Sequence, residues 1–307
     1  MTRSQTSPTH VLITGGSGLL GRRITDALLG KGYRVSHLGR KPGKDTRVKT
    51  FLWDVTKGKI DEHCIDDADV IIHLAGAGIA DKKWTEDRKK QIINSRVASL
   101  RLIYNLIQKR PNKVNSVISA AAIGYYGDRG DELLTEESPP GKGFMPECCI
   151  AWEEAADEGK TLGLRVVKLR TGVVFDKQGG ALPQMAMPVK LYAGAALGSG
   201  RQWVPWIHWQ DAVDMYMAAL ENINLTGVYN MAAPAPVTNK QLMKAIARQL
   251  DRPLWFFGVP ALVFKVLMGE MSIIILGSTR VSAKKIQDEG FVFKYPELAG
   301  ALEQIYG

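Results

Sequence analysis

The stretch His10-Val11-Leu12-Ile13-Thr14-Gly15-Gly16-Ser17-Gly18-Leu19-Leu20-Gly21 governs the architecture of this chain. A short apolar run that ends in glycines is how a buried parallel strand looks where it turns into a helix. The glycines satisfy both the G-x-x-G-x-x-G and the G-x-G-x-x-G spacings. Glycine is needed there for a tight turn, for close approach of backbone to a ligand and for close packing of helix on strand. The amides and dipole at the helix start then favour phosphate. Gly15, Gly16, Ser17, Gly18, Leu19, Leu20 and Gly21 are therefore expected to cradle the pyrophosphate of a dinucleotide.

Outward from this loop, helical and strand-like segments alternate. A helix is expected over Leu19 to Leu29, and strands over Tyr33 to Leu38, Asp69 to Leu74, Val114 to Ser119 and Leu164 to Leu169, with another closing at Asp54. Amphipathic stretches of helical length run from Thr85 to Lys109 and from Pro146 to Lys160. This alternation implies right-handed crossovers and an α/β fold, a Rossmann-type doubly wound parallel sheet. After Phe175 the sequence turns rich in Gly, Pro and Met, and Gly227-Val228-Tyr229-Asn230-Met231 reads as a strand returning to the sheet. The expected division is a Rossmann domain over 9–176 with the returning segment at about 204–234. A smaller, sequence-interleaved C-terminal substrate lobe takes 177–203 and 235–307.

A dinucleotide site selective for NAD usually carries an acidic residue at the end of the second strand. Here that place reads Leu38-Gly39-Arg40-Lys41, and Arg40 and Lys41 suit a 2′-phosphate, which Arg can grip with two hydrogen bonds. The expected cofactor is thus NADP(H), ahead of NAD(H). The chain of 307 residues carries a formal charge of +9, but Lys and Arg are spread without a dense basic tract, which argues against nucleic acid as partner. Three cysteines, two of them adjacent, build no disulfide framework, and residues 1–10 read as an ordinary tail, so a cytoplasmic setting is expected. Leu254 to Leu276 is the most apolar region, but Pro260, Lys265 and Glu270 interrupt it. A buried helix or docking lobe is expected there, and no membrane span.

Four features together resemble the extended short-chain dehydrogenases/reductases of the nucleotide-sugar epimerase type. They are the 14–21 loop, Asp54, His73-Leu74-Ala75-Gly76, and Arg170-Thr171-Gly172-Val173. Further segments look like one epimerase-like branch with a characteristic C-terminal extension: Trp84-Thr85-Glu86, Ile123-Gly124-Tyr125-Tyr126-Gly127, Gly198 to Trp203, Trp206-Ile207-His208, and the run from Val259 to Leu298. The resemblance spans nearly the whole chain. It implies a nicotinamide cofactor held also by Asp54, Leu74, Ala75, Gly76, Arg170 and Gly172.

The resemblance also implies a Tyr-x-x-x-Lys pair with an upstream Ser, in which the Lys and nicotinamide charges help the phenol exchange a proton. None of the nine Tyr has a Lys four positions on; Tyr104 meets Gln108 and Tyr125 meets Arg129. Counting back from Arg170 puts the pair on Phe144 and Cys148, and another register puts it on Cys149 and Glu153. Neither carries the chemistry, and a positioned proton-transfer group usually contributes about a hundred- to ten-thousand-fold in rate. Substitute catalytic candidates are Ser119, Tyr125, Tyr126 and Cys148, the last near a helix start that can activate a thiol. The plainer reading of Cys148 is a buried packing residue.

Arg201, Gln202, Trp203, Trp206 and His208 form a polar and aromatic cluster suited to holding a small anionic or sugar-like substrate. The alternative is that Trp206 and His208 pin the loop to the sheet, and Asp211 is expected to cap a helix over Ala212 to Leu220. Asn94 and Arg96 are weaker candidates to face the cofactor, since polar residues on such a helix generally face solvent. No metal site is expected. Two functions compete on this reading. One is an NADP(H)-dependent, epimerase-like oxidoreductase working by hydride transfer on a small polar substrate, with a homo-oligomer compatible. The other is a non-catalytic NADP(H)-binding or redox-sensing protein that acts through a partner.

Overall fold

The computed structural model describes residues 8–307; the reading of residues 1–10 as a tail thus falls mostly outside the described part. The elements in chain order are β1 (His10–Thr14), α1 (Leu19–Gly30), β2 (Arg34–Gly39), β3 (Lys49–Asp54), β4 (Lys59–Ile60), β5 (Val70–His73), α2 (Glu86–Lys109), β6 (Ser116–Ala122), β7 (Leu133–Leu134), α3 (Phe144–Asp157) and β8 (Arg165–Thr171). They continue with β9 (Val173–Asp176), β10 (Gly179–Gly180), α4 (Ala181–Lys190), β11 (Trp203–Val204), β12 (Trp206–His208), α5 (Trp209–Glu221), β13 (Gly227–Met231), β14 (Val237–Thr238) and α6 (Asn239–Gln249). The last are α7 (Ala261–Met268), α8 (Ile273–Leu276), β15 (Arg280–Val281), α9 (Lys284–Asp288) and α10 (Leu298–Tyr306).

The central sheet has eight strands in the order β13-β8-β6-β5-β1-β2-β3-β4, parallel except for β4. Side chains alternate across a strand, so each strand feeds two cores. On one face Val11, Ile13, Ile72 and Val167 meet Ile24 and Leu28 of α1 and Val213 and Tyr216 of α5. On the other, Leu12, Ile71, Val117 and Val166 meet Leu100 and Ile103 of α2 and Trp152 and Ala155 of α3. Each such fully buried aliphatic side chain contributes roughly 1.5–3 kcal/mol. Because both faces are covered, β1 and β5 are buried at every residue, which is why they read as continuous apolar runs.

Sequence-local chemistry sets the element ends. Thr85 caps α2 by accepting from the Arg88 amide, and Glu86 and Asp87 sit in its first turn, where the helix dipole favours acids. Thr238 and Gln241 form a reciprocal capping box on α6. The helix anticipated from Pro146 begins two residues earlier at Phe144 and gives way after Asp157 to a 3₁₀ turn ending at Leu162.

β13 returns to the sheet edge beside β8. A third core of Phe175, Leu182, Trp206, Leu242, Ile246 and Leu302 joins α4, α6 and α10 over β9 and β12. The 254–276 region departs from expectation. No residue of α7 is buried, and Phe256, Leu262 and Val266 are 94%, 68% and 73% exposed. Its sequence is apolar around the whole helix, so burial requires a cover on several sides that these folded elements do not supply. Among the described residues no helix is long and apolar enough to cross a membrane, and no His, Cys, Asp and Glu cluster could hold a metal ion.

Candidate functional site

The strand order reverses on either side of β1, where β2 lies on one flank and β5 on the other. In open α/β sheets ligands bind in the crevice this reversal leaves at the carboxyl ends of the strands. The glycine turn is cut to that crevice. Gly15 adopts φ +72°, and a Cβ on it would lie 3.0 Å from the Leu74 carbonyl carbon. A Cβ on Gly21 would run into the Gly15 carbonyl oxygen, and one on Gly16 would come 2.6 Å from the His37 ring. His37 is itself held by Thr25 at 2.8 Å. Thr14 Oγ1 accepts from the Leu74 and Ala75 amides, both at 3.1 Å, joining the β1 turn to the β5 turn. α1 starts at Gly18 with no side-chain cap and no acid in its first turn, so its amides are left for an anion. The residues present therefore fit a dinucleotide pyrophosphate.

On the β2 flank, Arg40 and Lys41 are exposed and make no ion pair among the described residues. Asp54 is engaged locally. Its carboxylate accepts from Thr56 Oγ1 at 2.8 Å and the Lys57 amide at 3.1 Å, bonds that hold it below the usual aspartate range. Both bonds go to Oδ1, so the carboxylate shapes the turn after β3.

On the other flank the four catalytic candidates separate. Ser119 lies in mid-strand opposite His73, fully buried, and donates to the Ala120 carbonyl, so it does not reach the crevice mouth. Cys148 is buried on α3 and burial pushes its thiol up, the reverse of activation; Cys149 behaves alike. Tyr126 is fully buried; its hydroxyl donates to Asn230 Oδ1 at 2.7 Å and accepts from Arg170, and burial pushes it up to about 12. Tyr125 remains partly exposed after β6, its ring held 3.5 Å from the Arg170 guanidinium.

Arg170 also needs correction as a cofactor ligand. It is buried and grips Glu153 at 2.7 and 3.0 Å through Nε and Nη2. Lys168 reaches Asp157 at 2.7 Å and Glu153 at 3.5 Å. Glu136, raised above the ordinary glutamate value by burial, accepts from the Asn230 amide and closes the network. Gly172 serves packing, since a Cβ there would collide with the Pro205 carbonyl oxygen.

Of the proposed substrate cluster, Arg201 is exposed. The others are tied into the protein. Gln202 is buried and donates to the Leu197 and Ile275 carbonyls at 2.9 and 3.3 Å. Trp203 donates to Asp131 at 2.7 Å. Trp206 is buried, stacked on Phe175, with its indole nitrogen on the Ala235 carbonyl. His208 is fully buried and lowered by burial; it caps α5 through the Gln210 amide and meets Gln304 at 2.8 Å. Asp211 accordingly does not cap that helix. It sits in the first turn and accepts from the Lys294 and Tyr295 amides, holding the C-terminal segment. Gln202, Trp206 and His208 build the loop and are not free to touch a ligand.

The residue that the sequence ranked too low is Arg96. Asn94 is exposed on α2, as expected, but Arg96 is half-buried and packs at Gly76. The signal was available: Ile92, Arg96, Leu100 and Ile103 recur at helical spacing on one face, and the other three are buried apolar residues.

An eight-stranded doubly wound sheet with a glycine cradle at its reversal defines an NAD(P)-binding fold of the short-chain dehydrogenase/reductase type. The chain belongs to the NAD dependent epimerase/dehydratase family, whose model matches residues 11–232, and a domain of unknown function, DUF1731, matches residues 259–305. It is 37% identical over 299 residues to the epimerase family protein YfhF of Bacillus subtilis, covering 96% of this chain and 97% of the relative. An Arabidopsis thaliana protein named epimerase family protein SDR39U1 homolog, chloroplastic, is 33% identical over 96% of this chain and 86% of its own length. Among solved structures, human epimerase family protein SDR39U1 with NADPH superimposes with TM-score 0.86 at 30% identity, covering 97% of this chain and 99% of that one.

Proposed function

We propose that this chain binds NADP(H) in the crevice between β2 and β5 and uses it in hydride transfer on a small polar or sugar-like substrate. The observation that carries the reading is the cradle of Gly15, Gly16 and Gly21, too tight for any Cβ, opening beside unpaired Arg40 and Lys41. Gly15 to Gly21 would hold the pyrophosphate, Leu74, Ala75 and Gly76 would line the floor, and Arg40 and Lys41 would receive the 2′-phosphate. The similar human protein was solved with NADPH, which supports the phosphorylated cofactor. When bound, the nicotinamide supplies a hydride donor or acceptor.

Helix α3 offers no acid-base pair, since Phe144 and Cys148, or in the other register Cys149 and Glu153, stand where a phenol and an ammonium are needed. Proton transfer falls to Tyr125, the partly exposed phenol at the crevice mouth, with Arg201 at the rim of the substrate lobe. A second reading has a specific observation behind it. The buried, uphill-shifted Cys148, Cys149 and Tyr126 leave little proton-transfer machinery, which favours NADP(H) as a structural or redox-reporting ligand.

Calorimetric titration with NADP, NADPH, NAD and NADH, on wild type and Arg40→Ala, tests the cofactor reading. The variant is expected to lose about tenfold in affinity for the phosphorylated forms, about 1.4 kcal/mol, and little for the others. An unchanged preference overturns it. Single-turnover absorbance of bound NADPH against a panel of carbonyl compounds and nucleotide sugars separates the two readings, with no oxidation by any of them favouring the second.

A further inference from the structure

Arg96 is a half-buried cation beside this crevice whose guanidinium is only partly satisfied. Its guanidinium lies between Gly76, where a Cβ would sit 3.0 Å from Cζ, and the Trp152 ring, whose centroid is 4.8 Å away. Nη1 donates to the Ile92 carbonyl at 2.9 Å and the Ala77 carbonyl at 3.1 Å, fixing the group against the turn that follows β5. Nε and Nη2 make no hydrogen bond among the described residues, and no carboxylate there pairs with the side chain. The neighbours are answered differently. Arg88, two helical turns earlier, keeps an unpartnered Nε but has an acid within reach, Asp81 at 3.7 Å, besides its bonds to the Gly78 carbonyl and Gln91, and Arg170 is paired with Glu153.

Burial lowers Arg96 from the ordinary arginine value, and the titratable groups that partly offset this are the thiols of Cys148 and Cys149, not an acid. Arginine keeps its charge in proteins, so a half-buried guanidinium without a counter-charge retains an unmet demand for acceptor oxygens. Its place in the sheet says which ones. Arg40 follows β2 on one flank of the glycine turn, and Gly76, with Arg96 of α2 packed on it, follows β5 on the other. A dinucleotide centred on the turn lies across both flanks. With its 2′-phosphate at Arg40, the other nucleotide falls at Arg96. α3, which flanks the same spot, offers only Phe144, Met145, Cys148, Cys149, Trp152 and an already paired Glu153.

We infer that Arg96 binds the nicotinamide-bearing half of the cofactor, donating from Nε and Nη2 to oxygens of its ribose and adjoining phosphate. The inference rests on the cofactor reading above and adds the residue that takes the second half of the ligand.

The test compares NADPH with adenosine 2′,5′-bisphosphate, a fragment that lacks the nicotinamide nucleotide, on wild type, Arg96→Ala and Arg96→Met. Met keeps an unbranched stem against Trp152, so it decides the matter if the alanine variant does not fold. The expected result is an affinity for NADPH lower by about tenfold or more, with the bisphosphate held to within about twofold. Equal losses for both ligands, or no loss for either, overturn the inference while leaving the cofactor reading in place. Wild type that binds neither ligand overturns the cofactor reading and this inference with it.

Discussion

The α3–β8 flank and the glycine-turn flank of the crevice handle charge in opposite ways. On the first, Arg170, Lys168, Glu153, Asp157 and Glu136 answer one another through short, largely buried contacts, with Tyr126 and Asn230 filling the remaining valences. On the second, Arg40, Lys41 and Arg96 have no acidic partner among the described residues. A buried charge that is fully paired inside the protein has nothing left for a ligand, whereas an unpaired one still does. The difference explains why residues that resemble functional ones in sequence separate in the structure into those that hold the fold and those open to an anion.

Breaking the paired side should give the largest effect. Arg170→Met leaves Glu153 buried without its bidentate partner, and a loss of about 3–5 kcal/mol in unfolding free energy is expected by denaturant titration. If the variant lost cofactor affinity but kept its stability, the contrast between the flanks would fail. Gly21→Ala probes the other side. Its added Cβ meets the Gly15 carbonyl, so a destabilisation of about 1–3 kcal/mol is expected, together with loss of cofactor binding by calorimetry.

A smaller effect comes from His73, at the end of β5 between the two regions. It is fully buried, its Nε2 2.9 Å from Ser99 Oγ, and burial first, then the charge of Arg96, lowers it from 6.5 to about 3. The unfolded chain therefore takes up a proton below pH 6.5 that the folded chain refuses until about pH 3. His73 accordingly contributes stability present above 6.5 and lost as the pH falls, by at most about 1.4 kcal/mol per pH unit. His73→Asn should flatten that acid limb in chemical denaturation across about pH 7 to 4, and an unchanged slope would show that the ring protonates in place.

The glycine turn, its flanking strand and helix and the parallel order were legible because each follows from local pattern: apolar runs for strands buried on both faces, and glycine where backbone meets backbone. The site was legible only where the same local logic applied. For Arg170 the resemblance implied a cofactor contact, but its partner Glu153 lies on another element, and nothing near it in sequence announces the pairing. The substrate reading of Gln202 missed a remote partner, Ile275, whereas Trp206 and His208 follow the alternative reading and pin the loop, through Ala235 and Gln304. Arg96 shows the reverse case, where a solvent-facing default hid a periodicity that placed it among buried neighbours.

Helix α7 carries one more consequence. Because none of its side chains is buried, folding places almost no demand on which residues stand there, and substitutions such as Leu262→Gln or Val266→Thr should leave the melting temperature nearly unchanged. In mutational terms the exposed face of the helix is expected to accept substitution with little cost to the sheet, whereas a single methyl added at Gly21 meets backbone.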